Sequence, residues 1–415
     1  MPKIQISSRG IRAALKKYTP YQSLAEYIWN GFDAQASQID IHYESDELGN
    51  LFSISISDNG YGIPHSKLQN KFEPLFESQK ALENKLKKNQ SALHGKNGIG
   101  RLTFFVFARS ATWTTTYEDA SCNWTYDIFA NAENINFYTG INASPKKTQQ
   151  ACGTTVTFSG IHSLNAFLLE DKFSDFLLKE FGWFLALNSK RSFSLSINGK
   201  SLDFKKMVAD SEKLELIHEK SSTVFEVEYV RWKEKGLNEQ SRYYYIDSSG
   251  KEKWKEPTAI KSKGEQFYHS VFIQSPYFDA FSFQGKPDSE TQQPLLSGTR
   301  SDAQFRFLKR KLANFLRIKR RPFLAELAQN LISEYESQNI LPKNKHQKLP
   351  VLMKTLYEMQ PRIFSSLNTE RKKMFAGLLG TLLESDKANQ TPNIFENIIE
   401  LSSEEKEELK KIFAD

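Results

Sequence analysis

Between Ser23 and Ala34 apolar residues return with the period of a helix, so that Leu24, Ile28 and Phe32 share one side and Glu26, Asn30 and Asp33 fall in a narrow arc on the other. Alternation follows: Ile39, Ile41 and Tyr43, then Phe52, Ile54 and Ile56, predict two half-buried strands, the second running into Asp58-Asn59-Gly60-Tyr61-Gly62. Residues 63 to 94 are polar and rich in Lys, Gln and Asn around Phe72, Leu75 and Phe76, a composition that predicts a mobile loop with short helices. The loop closes on Gly95-Lys96-Asn97-Gly98-Ile99-Gly100, after which Leu102, Phe104, Phe105 and Phe107 predict a helix packed inside. Strands are expected over Ala111 to Tyr117 and Cys152 to Gly160, and a Phe/Leu-rich helix over about 164 to 187. Phe193, Leu195 and Ile197 alternate ahead of an Asn198-Gly199 turn. A second region from about 220 carries strands at Val224 to Trp232, Arg242 to Asp247 and Ser270 to Gln274, then a helix marked by Phe305, Leu308, Leu312, Phe315 and Leu316. Beyond about 350 everything reads helical, and no internal repeat is visible.

Composition narrows the class. With 415 residues, 39% hydrophobic and 13% aromatic, the chain can build two or three cored domains and lies far from the signature of disorder. No apolar run approaches a membrane span, and the start Met1-Pro2-Lys3-Ile4 is unlike a signal peptide, so a cytoplasmic protein with no membrane partner is expected. Cys122 and Cys152 form no disulfide framework or zinc pattern. A net charge of +7 permits an anionic partner but does not require one.

Three short segments carry candidate chemistry. Glu26, Asn30 and Asp33 place a carboxylate and a carboxamide one helical turn apart, able to hold a water beside a hard cation. Asp58-x-Gly60-x-Gly62 ends a strand in a carboxylate followed by glycines that admit close backbone approach. Gly95-x-x-Gly98-x-Gly100 opens a helix whose free amides and dipole favour phosphate. Alone, an Asp-Asn-Gly-x-Gly stretch is more often a β-turn, and a polar helix face more often a solvated one. Their order, with Gly153-Thr154-Thr155-Val156 at the head of a later strand, distinguishes them. No G-x-x-x-x-G-K-S/T loop occurs, which excludes the P-loop NTPase motif.

The set resembles the GHKL ATPase superfamily, which includes the gyrase B subunit, the ninety-kilodalton heat-shock chaperone, MutL and MORC proteins and histidine kinases. The E-x-x-x-N-x-x-D-A box is similar to Glu26 through Ala34, the D-x-G-x-G box to Asp58 through Gly62, and the glycine-rich lid end to Gly95 through Gly100. The resemblance covers about residues 15 to 200. It implies an α+β fold: a Bergerat-type sandwich of mixed sheet and helices, then a smaller β-rich transducer-like domain and a helical C-terminal part, divided at 1–210, 211–345 and 346–415. It also implies ATP and Mg²⁺ as cofactors, with Asn30 on the metal and Glu26 polarising the attacking water. Asp58 would accept from the adenine amino group, supported by Thr154, and Gly60 and Gly62 would make room for the base. Asp33 and Ile63 would join the nucleotide site, Lys96 to Gly100 would wrap the phosphates, and Lys80 is similar to a lid lysine. Arg300 is the expected cation from the second region at the γ-phosphate, with Lys286 as its alternative.

Within the superfamily the plan resembles MutL or MORC proteins most. A histidine kinase is not expected, since no phosphoacceptor helix precedes Glu26, and neither a strand-passage domain nor an endonuclease metal pattern is seen. The resemblance therefore implies an ATPase whose ATP-dependent homodimer closes as a clamp or switch on DNA or on a partner protein. An Hsp90-like chaperone and a nucleotide sensor without turnover stand as alternatives. Lys309, Arg310, Lys311, Arg317, Lys319, Arg320 and Arg321 put seven cations into thirteen positions. They are either the wet side of a helix or a sequence-independent DNA surface.

Overall fold

The computed structural model describes residues 8–72, 99–134, 137–237, 241–258, 260, 267–283, 298–341, 346–364, 367–385, 390–398, 401 and 403–414. Two compact units emerge: Met1–Thr258 with Tyr268–Phe305, and Ala259–Phe267 with Arg306–Asp415.

The first unit begins with helices α1 (Ser8–Leu15) and α2 (Pro20–Asp33). Thr19 starts α2 through a capping box with Gln22, and Pro20 fits the first turn because its missing amide would have no helical partner there. The helix therefore begins three residues before the expected Ser23. Strands β1 (Gln38–Ser45), β2 (Leu51–Asp58), β3 (Ser110–Asp119), β4 (Cys122–Asn131), β5 (Lys146–Thr148), β6 (Gly153–Ser159), β7 (Ser194–Ile197) and β8 (Lys200–Ser201) form one mixed sheet, in the order β5-β4-β3-β6-β2-β1-β7-β8. All neighbours are antiparallel except β1 and β7. Helix α2 and the helix α4 (Ser174–Leu187) pack through aromatic contacts: Trp29 lies 4.6 Å from Phe181 and Phe32 lies 4.7 Å from Phe184 between ring centroids. The Trp29 indole N–H donates to Glu180 at 2.9 Å, which satisfies a polar pair inside this core.

Between β2 and β3 the described chain contains a short helix α3 (Leu68–Phe72) and a 3₁₀ helix (Gly100–Val106). The helix expected after Gly100 is thus 3₁₀, with Leu102 and Phe104 buried. A second sheet in the same unit has the order β12-β11-β13-β10-β9, built from β9 (Val208–His218), β10 (Thr223–Trp232), β11 (Arg242–Ile246), β12 (Glu252–Pro257) and β13 (Tyr268–Gln274). Tyr245, Phe278, Phe281 and Phe283 fill its core with Phe305.

The second unit is helical. It contains most of α5 (Ala303–Arg320), with α6 (Ala325–Ser337), α7 (Leu349–Met359), α8 (Thr369–Glu384), α9 (Thr391–Ile398) and α10 (Ser403–Ala414). Leu349, Leu352, Met353 and Leu356 of α7 are fully buried among Tyr335, Leu379 and Leu409. The fold is therefore α+β with a helical C-terminal part. Among the described residues no helix is long and apolar enough to cross a membrane.

Candidate functional site

From Ser23 to Phe32 every residue of α2 is buried except Glu26 and Asn30, and the half-buried Asp33 follows one turn on. Burial on nearly all sides leaves a single polar window in which these three side chains sit. The 3₁₀ helix forms one edge of that window. A Cβ added to Gly100 would lie 2.6 Å from Glu26 Oε2, so the carboxylate rests against the glycine and any larger residue would displace it. Tyr18, just ahead of the helix, senses the same carboxylate: burial and then the Glu26 charge raise its phenol above its ordinary value.

Asp58 approaches α2 from β2 because two glycines clear the way. A Cβ on Gly31 would lie 2.8 Å from Ile39 Cδ1 and 3.0 Å from Asp58 Cβ, and one on Gly60 would lie 2.5 Å from the Ala34 carbonyl oxygen. Gly60 then donates its amide to Asp58 Oδ1 at 2.8 Å. Burial raises the Asp58 carboxyl above the usual range, opposed by the amides of Gly60 and Thr154. Gly62 takes φ +72°, and a Cβ there would lie 2.1 Å from the Thr116 carbonyl oxygen. These glycines let the loop fold tightly onto α2 and β3; the space around each is filled by protein.

Register completes the arrangement. Asp58 faces Thr154 across β2 and β6, and Thr154 faces Thr115 across β6 and β3. The Thr115 and Thr154 hydroxyls are 2.9 Å apart, and Thr115 also accepts the Ile63 amide at 2.9 Å. Ile63 is held from its other side by Tyr126, whose hydroxyl donates to its carbonyl at 2.9 Å.

The structure thus gathers two connected groups: Glu26 with Gly100, which follows Ile99, and Asp58, Gly60, Gly62 and Ile63 with Thr154. Gly31 lies on the same helix as Glu26, Asn30 and Asp33 and directly abuts Asp58. Lys80, Gly95, Lys96, Asn97, Gly98 and Lys286 lie outside the described residues. Arg300 sits on the second sheet, 3.1 Å from Glu256 and with its guanidinium 5.8 Å from the Trp254 ring centre. No described contact places it against Glu26. In the second unit, Arg317 pairs with Glu405, and Arg321 with Glu408 at 2.5 Å and Glu358 at 3.8 Å. Arg317 and Arg321 are therefore engaged in ion pairs within the helical unit.

Reasoning from sequence missed Thr115, Tyr18 and Gly31. Gly31 lies within the Glu26-to-Ala34 box and could have been found there; Thr115 is one of a run of threonines that only strand register singles out.

Residues 18–154, about a third of the chain, match the family model described as histidine kinase-, DNA gyrase B- and HSP90-like ATPase. That stretch spans α2, β2, the 3₁₀ helix and the first residues of β6, and it is of the GHKL ATPase-domain type. Among solved structures, the chain is similar to the ATPase region of Saccharomyces cerevisiae topoisomerase II, with 13% identity over 66% of this chain and 85% of that one and a TM-score of 0.37. The same region bound to ICRF-187 (dexrazoxane) gives 14% identity, 66% and 86% coverage and a TM-score of 0.35. The ATPase and transducer domains of DNA topoisomerase II from Balamuthia mandrillaris give 13% identity, 61% and 72% coverage and a TM-score of 0.36. No curated protein matches the chain.

Proposed function

We propose that this chain is a Mg²⁺-dependent ATPase of the GHKL type, acting in the cytoplasm, in which nucleotide-driven homodimer closure works on DNA or a partner protein. The observation that supports it most is the window in α2, where Glu26, Asn30 and Asp33 are half-buried while the other residues from Ser23 to Phe32 are buried. A carboxylate held in that window against Gly100 is suited to take a proton from a water, and a partly desolvated site strengthens its interaction with that water.

The residues fit the nucleotide. Asp58 uses Oδ1 for the Gly60 amide and can offer Oδ2 to an exocyclic amino group, a preference for adenine over guanine, which presents a carbonyl oxygen there. Thr154, backed by Thr115, supports that edge. The amides of Gly100 and Arg101, at the start of the 3₁₀ helix, would suit phosphate oxygens. Among the described residues no three His, Cys, Asp or Glu side chains gather as a metal cage, so Asn30 and the substrate's phosphates would hold Mg²⁺ together. The ion would neutralise charge on the triphosphate. Lys80, Lys96 and the glycines from Gly95 to Gly98 are proposed for the phosphates, and Arg300 or Lys286 for the γ-phosphate.

Residues 1–210 would then bind ATP, 211–345 transmit its state and 346–415 dock a partner or a second copy. Kinship with MutL or MORC proteins rather than topoisomerases belongs to the same proposal. DNA contact would rest on Lys309, Arg310, Lys311, Arg317, Lys319, Arg320 and Arg321, of which Arg317 and Arg321 also serve ion pairs inside the helical unit.

The test is Glu26→Ala. Turnover should fall by roughly two to four orders of magnitude while calorimetric ATP affinity stays close to the parent's. Equal loss of binding and turnover would show that Glu26 is not the base, and a parent that neither binds nor hydrolyses ATP would refute the reading.

A further inference from the structure

Tyr27 and Arg101 adjoin two members of the proposed site, Glu26 and Gly100, yet neither is a defining residue: Tyr27 fills an unspecified position of the Glu26-to-Ala34 box and Arg101 follows the Gly95-to-Gly100 segment. Tyr27 is buried, and its hydroxyl donates to the Arg101 carbonyl at 2.8 Å while accepting the Phe104 amide at 3.2 Å. One phenol on α2 therefore ties both ends of the first turn of the 3₁₀ helix. Thr103 adds a parallel tie, its hydroxyl lying 2.7 Å from the Gly100 carbonyl and 3.2 Å from the Ser23 carbonyl. The Arg101 side chain reaches the other way. Its guanidinium donates to the Phe72 carbonyl and lies 5.7 Å from the Phe72 ring centre.

We infer that Tyr27 and Arg101 form a positioning bracket that holds Gly100 against the Glu26 carboxylate and fastens that contact to Phe72 at the end of α3. The inference rests on the ATPase reading and adds a specific cause for the placement of Glu26. Neither residue needs to touch substrate. Tyr27 acts through the backbone of the 3₁₀ helix, and Arg101 through its hold on Phe72. Both groups keep the protonation state this role requires. Burial holds the Tyr27 phenol far above its ordinary value, so it remains a donor. Burial also lowers the Arg101 guanidinium to about 10, still a cation at neutral pH and a strong donor to a carbonyl. Burying a cation is costly unless it is hydrogen-bonded, as Arg101 is at the Phe72 carbonyl.

The experiment compares the full-length parent with Tyr27→Phe, Arg101→Gln and Arg101→Lys, each also in the Glu26→Ala background. ATP turnover is measured beside calorimetric ATP affinity and thermal unfolding. Loss of alignment at a reacting group costs about a hundredfold for a displacement near 1 Å, so Tyr27→Phe and Arg101→Gln should lower kcat by about ten- to a hundredfold with ATP affinity little changed. Arg101→Lys, which can still reach the Phe72 carbonyl, should recover part of the loss. In the Glu26→Ala background neither change should lower the residual rate further, because residues acting through one group are not additive. The same fall in both backgrounds would mean general damage and would overturn the bracket, as would unchanged kcat in folded variants or affinity lost in step with rate. A parent whose turnover depends on Glu26 but not on Tyr27 or Arg101 overturns the bracket alone; a parent without turnover overturns the ATPase reading with it.

Discussion

Replacing Gly62 by Ala separates two costs that a glycine can hide. Gly62 and Gly199 both hold a left-handed backbone, φ +72° and +77°, which costs an L-residue about 1–2 kcal/mol. Around Gly199 nothing lies within 4 Å of an added Cβ, whereas at Gly62 the Cβ would lie 2.1 Å from the Thr116 carbonyl oxygen and 2.8 Å from its carbon. Thr116 cannot yield easily, because β3 is paired on both sides, with Thr125 of β4 and Gly153 of β6 opposite that residue. Overpacking of this kind adds about 1–3 kcal/mol. Gly199→Ala should therefore cost about 1–2 kcal/mol and Gly62→Ala about 2–5 kcal/mol. Tryptophan fluorescence in urea is the right assay, since Trp29, Trp113, Trp124, Trp183, Trp232 and Trp254 all lie in the first unit and report its unfolding alone. With a slope near 3 kcal/mol per molar, the midpoint should drop by about 0.5 M for Gly199→Ala and by about 1 M or more for Gly62→Ala. ATP affinity should fall only in Gly62→Ala, whose loop carries Asp58 and Ile63. Equal midpoints in the two variants would refute the steric argument, and full ATP affinity in Gly62→Ala would detach this loop from the nucleotide site.

Asp58→Asn should abolish most ATP binding yet stabilise the empty protein. The raised carboxyl means the folded state binds its proton more tightly than the unfolded chain, so the parent loses stability as pH climbs from the ordinary value of 3.8 through the raised one. The gap favouring Asp58→Asn should be absent below that window and complete above it; parallel urea midpoints across pH would contradict the cause given. Arg317→Met should cost the helical unit about 3–5 kcal/mol, because it takes the cation away from Glu405, whose side chain is 4% exposed. Hydrogen exchange of α10 at the parent's rate in this variant would remove the ion pair from that unit's stability. Arg310→Glu with Lys311→Glu, both exposed, is the cleaner test of DNA contact: if DNA is the client, the slope of log affinity against log salt should fall by about one unit per lost phosphate contact. An unchanged slope would point to a protein client.

The elements most legible in the sequence are those whose pattern is local. The α2 stripe, the β1 and β2 alternation and the Asn198-Gly199 turn each follow from neighbours within a few residues. Strand β9 is hidden because Asp210, Glu212, Lys213 and Glu215 give it the composition of a solvated segment, as suits an edge strand whose outer side has no partner in the sheet. Strand β4 is obscured since Trp124, Tyr126 and Ile128 alternate with polar residues only after Cys122 and Asn123, close behind β3. Thr115 carries no local mark among Thr112, Thr114, Thr115 and Thr116; the register of β3 on β6 selects it. The basic stretch shows the reverse case. Seven like cations look equivalent along the chain, yet Arg317 and Arg321 meet carboxylates 88 and 87 positions away, a pairing that only the packing of α10 creates.

The same distinction decides how Glu26, Asn30 and Asp33 should be understood. A helix face that merely meets water leaves its polar residues exposed and its apolar stripe confined to one side. In α2 the burial of Ser23, Leu24, Ala25, Tyr27, Ile28, Trp29, Gly31 and Phe32 covers all of the circumference except the arc of the polar triplet, which is itself half-covered. A reaction that needs a base beside a water is served by a carboxylate held in place by its packed surroundings yet still open on one side. The exposure pattern, which composition and periodicity could not reveal, is therefore what favours the catalytic reading of this helix over the solvated one.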